Sequence, residues 1–294
     1  MTEKPLATWL YAVTAALEDG APPLGLTGVA DEPVRLVEKA GLAAVVGSVP
    51  LAEFDEDAVR GHLEDLEWLE RTARAHHRVI NGAACLGQVI PLRFATLYHD
   101  DDRVRAMLQE RREDFTATLR RVAGRTEWGV KVYVDPRSFL PDPDEPAGGE
   151  DSPGTAYLLR RRAQRQDQET AHLRATERAE EIHASLAALA VATAAHPPQD
   201  TALAAYEGWM VLNNSYLVPD GLTEEFTALV TALGERYPAV TLEASGPWPP
   251  YSFTGPPKAE GEARPEEAPS WPVRSSAGRW PWSTCSTGCS PEAW

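Results

Sequence analysis

Polar and apolar residues alternate weakly along Leu6–Ala16, which reads as an opening strand with Trp9, Tyr11 and Val13 on one face. A loop rich in Gly and Pro follows at Gly20–Gly28. Two apolar runs, Pro33–Val37 and Leu42–Val46, then flank Lys39-Ala40-Gly41. This is a hairpin pattern, because Gly41 takes a positive φ at no steric cost. Pro50–Phe54 breaks it. From Asp55 to Ala75 the period changes: Val59, Leu63, Leu66, Leu69 and Ala73 recur every three or four residues and predict one helix with one apolar stripe. Asp55, Glu56 and Asp57 stand where a helix start favours negative charge.

A strand is expected at Val89–Phe94. Asp100-Asp101-Asp102 opens a further helix, striped by Val104, Leu108, Phe115, Leu119 and Val122 and ended by Gly124. A second strongly patterned region starts with Glu127–Val134, EWGVKVYV. After a Pro-, Gly- and acid-rich loop at Asp135–Pro153, Gly154 to Leu189 is free of Pro and of further Gly and reads as one long helix. Such a helix spans about 50 Å. It is charged from Arg160 to Glu181 and apolar only near Ile182, Leu186 and Leu189, so its middle is expected to project into solvent or to await a partner. Strands are read at Val191–His196, Trp209–Val218 and Val240–Ala244. A helix at Thr223–Arg236, N-capped by Thr223, carries Phe226, Leu229, Val230 and Leu233. The order from Glu127 is β-α-β-β-α-β, a ferredoxin-like arrangement. The expectation is therefore an α+β chain of two domains, 1–125 and 126–258. The second is ferredoxin-like with a long projecting helix. Residues 259–294, rich in Pro, Ser, Glu and Trp and without periodicity, are expected to be a disordered tail.

The last strand runs straight into Gly246-Pro247-Trp248-Pro249-Pro250-Tyr251-Ser252-Phe253. Its three prolines keep the segment out of a helix or a central strand. The rings of Trp248 and Tyr251 are expected to pack back over their own domain; presenting them to a partner is the alternative.

At 294 residues the chain is long enough for two cores, and its net charge is −16 with both halves acidic. A nucleic acid or an anionic membrane would favour a basic face, so both are excluded as expected partners. No apolar run reaches the roughly 18 residues of a spanning helix, and Met1–Pro5 does not open a signal peptide. Cys85, Cys285 and Cys289 make no disulfide framework, which fits a reducing cytoplasm. Candidate chemistry is sparse. His76 and His77 are sequence neighbours whose side chains diverge by about 100° on a helix, and with His62 they read as surface residues. His99 with the three aspartates fits helix capping better than a divalent cation site, and Cys285 with Cys289 lacks a second ligand pair. Arg160, Arg161, Arg162 and Arg165 form a basic cluster, read either as a solvated helix face or as a docking site for an acidic segment.

In order, Val89–Thr96, EWGVKVYV at Glu127–Val134, MVLNNSYLV at Met210–Val218 and GPWPPYSF at Gly246–Phe253 resemble the GvpL/GvpF family of gas vesicle accessory proteins, from about Trp9 to Phe253. The resemblance implies a non-enzymatic role without cofactor. It further implies binding to the gas vesicle shell protein and to other accessory proteins during vesicle formation, at the vesicle or in the cytoplasm. Partner-facing candidates are Arg160, Arg161, Arg165, Trp248 and Tyr251. The alternative is a small-molecule-binding protein or enzyme on a ferredoxin-like scaffold, for which Arg93, His99, Lys131 and Tyr133 are the candidates. Family members stop soon after the Tyr-Ser-Phe segment, so the resemblance implies nothing for the tail.

Overall fold

The computed structural model describes residues 5–16, 25–62, 64–85, 87–140, 153–198 and 208–255. Cys285, Cys289 and the expected tail lie outside the described residues, as does most of the loop expected at 135–153. The fold is α+β, with two antiparallel sheets and helices packed on them.

The first sheet is built around β1 (Leu6–Ala15), whose side chains are nearly all buried. On one side it pairs with β3 (Leu42–Pro50), which forms a hairpin with β2 (Arg35–Lys39). The turn places Ala40 at φ 57° and Gly41 at φ 78°, the left-handed pair that a two-residue hairpin requires. Along its other side β1 pairs with two short strands, β4 (Val89–Pro91) and β5 (Leu97–Tyr98). The strand expected over Val89–Phe94 is thus shorter and ends at Pro91, and β5 lies beyond it. Val13 is not on the face of Trp9 and Tyr11. The ladder to β3 shifts between Leu10 and Ala12, so Tyr11 is an extra residue and the alternation reverses after it. Trp9 and Tyr11 join one core, whereas Leu10 and Val13 join the core on the opposite face.

That first core is closed by α1 (Leu51–Phe54), α2 (Glu56–His62) and α3 (Leu66–Ala84). The single helix expected from Asp55 to Ala75 is broken before Leu66, because the Asp65 carboxylate accepts the backbone N–H groups of Glu67 and Trp68 and starts a new helix. Leu66 is exposed as a result, and the buried stripe of α3 is Trp68, Leu69, Thr72, Ala75, His76, Val79, Ile80 and Ala83. On the other face of the sheet lie α4 (Asp101–Glu110) and α5 (Arg112–Val122), which bury the expected Val104, Leu108, Phe115, Leu119 and Val122.

The second sheet has β6 (Arg125–Val134) at its centre, between β8 (Trp209–Pro219) and β9 (Val240–Trp248), with β7 (Ala192–Ala195) outside β8. Trp128, Val130, Val132 and Val134 point to one face, where α6 (Pro153–Ala187) and α7 (Thr223–Arg236) cover them. The packing of α6 starts earlier than its large apolar residues suggest. Ala171, Ala175 and Ala179 are buried ahead of Ile182 and Leu186, a stripe of small residues that lets the helix lie close to the sheet. Thr223 is the first residue of α7 and does not cap it; a 3₁₀ turn at Asp220–Leu222 leads into the helix without a side-chain cap. β9 runs on through Gly246 and Pro247 to Trp248, which the ladder tolerates because β9 is an edge strand whose register with β6 shifts between Glu127 and Gly129.

Candidate functional site

The segment after β9 forms a strap between the two sheets and their helices. Glu127 sits in β6 on the face away from α6 and α7, with 6% of its surface exposed. Its two carboxylate oxygens accept the backbone N–H of Ser252 at 2.8 Å and the Ser252 hydroxyl at 2.6 Å. The same hydroxyl lies 3.2 Å from the Ser215 hydroxyl, and His196 Nε2 is 2.9 Å from Ser215 Oγ. Phe253, in the 3₁₀ turn Tyr251–Phe253, packs on Leu217 of β8 and Val122 of α5. Arg121 of α5 donates to the carbonyls of Phe253 and Gly255 at 2.5 and 2.6 Å.

On its other side the strap meets α3. The Trp248 ring stands edge-on to His77 at 5.4 Å between centroids, and the Tyr251 ring stacks on the same imidazole at 6.1 Å. The Tyr251 hydroxyl lies 3.2 Å from His77 Nδ1. Burial lowers the pKa of His77 and raises that of Tyr251, with the Glu127 charge adding to the latter. Trp248 and Tyr251 therefore do not pack only over the second sheet. They tie it to α3, through a histidine expected at the helix surface.

His76 is also interior, with 4% of its surface exposed. Its Nδ1 accepts the indole N–H of Trp9 at 3.0 Å, and its Nε2 faces the Leu92 carbonyl at 3.2 Å. Burial pushes its pKa down to about 4. Beside it, the Tyr11 hydroxyl donates to Glu32 Oε1 at 2.5 Å, and the other Glu32 oxygen accepts the Ala30 N–H at 2.8 Å. Burial and the adjacent carboxylate both raise the pKa of Tyr11. These groups are fully engaged with one another and fix the interior of the first sheet.

The residues considered for small-molecule chemistry are not assembled. His99 lines an open cleft of about 450 Å³ with Arg35, Ser48, Asp100, Asp101, Asp102 and Arg105. Each aspartate there has a local partner. Asp100 caps α4 by accepting the Arg103 N–H, Arg35 holds Asp101 with two bonds of 2.7 and 2.8 Å, and Asp102 pairs with Arg105 at 2.8 Å. The Arg35 guanidinium lowers the pKa of Asp101. Lys131 and Tyr133 lie in β6 of the other sheet, opposite Glu243 and Thr241 of β9. Arg93 is exposed between β4 and β5. No group of three or more His, Cys, Asp or Glu that could hold a metal occurs among the described residues, and no helix among them is long and apolar enough to cross a membrane.

Of the basic cluster, Arg160 lies within α6, and the side chains of Arg161, Arg162 and Arg165 are exposed. From Arg161 to Thr170 every residue is exposed except Asp167, which is half-buried; burial begins at Ala171. The basic cluster and the strap are separate surfaces. Glu127, Ser252 and Arg121 were not marked by the sequence pattern, although a glutamate inside an apolar strand is the one local sign that β6 meets a polar partner.

Comparison with known proteins places this architecture. Residues 7–255 match the family model described as gas vesicle synthesis protein GvpL/GvpF. The chain is 40% identical over 248 residues to gas vesicle protein L of Streptomyces sp. (strain CB03234), covering 84% of this chain and 92% of that one. It is 27% identical to gas vesicle protein F of the same organism, covering 84% and 99% of the two chains. Among solved structures, the gas vesicle protein GvpF of Anabaena sp. PCC7120 superposes with a TM-score of 0.64 at 16% identity, covering 88% of this chain and 100% of that one. The Microcystis aeruginosa GvpF gives 0.60, covering 85% and 99%. The match takes in both sheets and stops where the strap ends, and on that extent the chain belongs to the GvpL/GvpF family of gas vesicle synthesis proteins.

Proposed function

We propose that this protein is a gas vesicle accessory protein that binds the shell protein and sister accessory proteins while the vesicle is formed, without a cofactor. The observation that carries the reading is the 40% identity to a gas vesicle protein L over 92% of that protein's length. The chemistry is consistent with it. A subunit that builds a gas-facing wall exposes apolar surface that aggregates before assembly, and an acidic adaptor holds such a subunit in solution. The sites of action are then the cytoplasm and the nascent vesicle. Within this reading the chain has two domains meeting near Arg125, where Gly124 ends the α5 connection and β6 begins. The second is ferredoxin-like: β6-α6-β7-β8-α7-β9 folds with the strand order β7-β8-β6-β9. Arg160, Arg161 and Arg165 on α6, and the rings of Trp248 and Tyr251, are the proposed partner-facing groups.

The test is co-expression of the full chain with the shell protein and each accessory protein, followed by affinity purification. Stoichiometric recovery of the shell protein or of a sister accessory protein is the expected result. Failure to recover any gas vesicle component with a folded chain overturns the reading.

A further inference from the structure

The strap is held in place by contacts that a segment of a separate chain could make equally well. Three of them are made by its main chain: the Ser252 N–H on Glu127, and the Phe253 and Gly255 carbonyls on Arg121. These select an extended backbone and no particular side chain. Two side chains add selectivity. The Ser252 hydroxyl sits among Glu127 at 2.6 Å, Ser215 at 3.2 Å and His196 Nε2 at 3.3 Å. The Phe253 ring fills an apolar notch of Val122 and Leu217, edged by Ala192 and Ala194. The groove so lined is built on α5, β6, β7 and β8, and the large cores that hold these elements do not include the strap.

Much of what holds the strap is also replaceable by water. Beyond Trp248 it joins no β ladder among the described residues. Glu127 is buried, yet the donors it accepts from are neutral, an amide and a hydroxyl. Exchanging such bonds for bonds to water changes the free energy little, and a carboxylate regains hydration once its groove opens. What opposes release is chiefly the burial of the Phe253 ring and the stacking of Tyr251 on His77.

We propose that the groove beneath the strap is a recognition site for an extended segment of a partner protein in which a serine or threonine precedes an aromatic residue, and that the strap is its displaceable internal occupant. The proposal rests on the accessory role above for the origin of that segment, and on the strap itself for its chemistry. Tethered to β9, the strap is present at an effective concentration on the order of millimolar, so it excludes a weak segment and yields to one that is anchored elsewhere on the molecule as well.

The test uses the full chain and a labelled peptide with the strap's own sequence, WPPYSFTG, with binding read by fluorescence anisotropy. The double variant Ser252→Ala, Phe253→Ala weakens the internal occupant and leaves the groove intact; it is expected to bind the peptide at least about tenfold more tightly than the wild type. Adding Glu127→Gln, or replacing the peptide's serine and phenylalanine by alanine, is expected to lower that binding about tenfold or more. In the wild-type chain the Ser252 amide is expected to exchange its hydrogen through a local opening, faster than the amides of Val130 and Val132 in β6. A folded double variant that does not bind the peptide, or binding indifferent to Glu127→Gln, overturns the proposal. So does a Ser252 amide that exchanges only with global unfolding, a result that decides the matter even where the variant does not fold. A wild-type dimer that forms with rising concentration and that the peptide dissociates marks a second copy as the occupant and overturns the partner assignment. If the peptide fails while the wild-type chain still recovers the shell protein, the groove assignment falls and the accessory role stands.

Discussion

Lowering the pH from 7 to 5 should destabilise this protein through one buried imidazole. In the folded state His76 accepts the Trp9 N–H at Nδ1 and faces the Leu92 carbonyl through Nε2, so it is neutral with its proton on Nε2. Protonation would set an Nδ1–H against the indole N–H and place a charge where 4% of the residue is exposed. The folded pKa of about 4 lies below the ordinary value of 6.5. The contribution is therefore fully present above pH 6.5 and is lost as the pH falls toward 4, as the unfolded chain takes up the proton first. Linkage over that gap gives about 2 kcal/mol at pH 5 and a limit of about 3 kcal/mol below pH 4. For a chain of this size 2 kcal/mol corresponds to a fall in melting temperature of roughly 4–8 °C. The assay is urea and thermal unfolding at pH 7, 6 and 5 for the wild type and for His76→Leu. The variant should be less stable at pH 7, having lost both hydrogen bonds, yet its stability should depend much less on pH. Equal pH dependence in both proteins would show that His76 is not the titrating group and would refute the argument.

Gly47→Ala should cost more than 2 kcal/mol, read as a lower urea midpoint, because the added Cβ would sit 1.9 Å from Glu32 Oε1, whose carboxylate is fixed by Tyr11 and Ala30. Glu127→Ala removes both acceptors of Ser252 from a buried position and should destabilise by about 2–3 kcal/mol, with faster hydrogen exchange at Ser252 than at the centre of β6. Trp248→Ala and Tyr251→Ala should each lower stability by about 2–4 kcal/mol through lost contact with His77; variants that melt like the wild type but no longer recover a partner would make the strap a docking motif instead.

Much of the secondary structure is legible in the chain because each element's period survives its context. The β2–β3 hairpin follows from Ala40-Gly41, and the buried faces of α4, α5 and α7 follow from the spacing of their apolar residues. The errors share a cause: one residue in the right place outweighs a regular pattern. Tyr11 bulges out of β1 and sends Val13 to the opposite core; Asp65 restarts a helix that the apolar stripe ran through. The alanines of α6 are invisible to a reading that looks for large apolar groups, since what they supply is closeness rather than area. The strap was visible as a proline-fixed aromatic segment, but its partners were not. Glu127 and Ser252 are 125 positions apart and His77 and Tyr251 are 174 apart, and no local pattern records such pairs.

The place of β6 in the second sheet sets an order of events during synthesis. Every strand of the first sheet has been made by Tyr98, and α5 by Val122, so that sheet has all its strands and covering helices early. β6 comes next and has none. It is apolar on one face, it occupies the centre of its sheet, and its first neighbour starts only at Trp209, about 75 residues after Val134. At a ribosome's pace of roughly 5–20 residues per second the strand waits for several seconds with both edges unpaired, and longer for β9. Its backbone is then an open template for any extended apolar chain nearby, and the nascent protein needs protection there until the strap, the last matched segment to emerge, locks Ser252 onto Glu127 and completes the sheet.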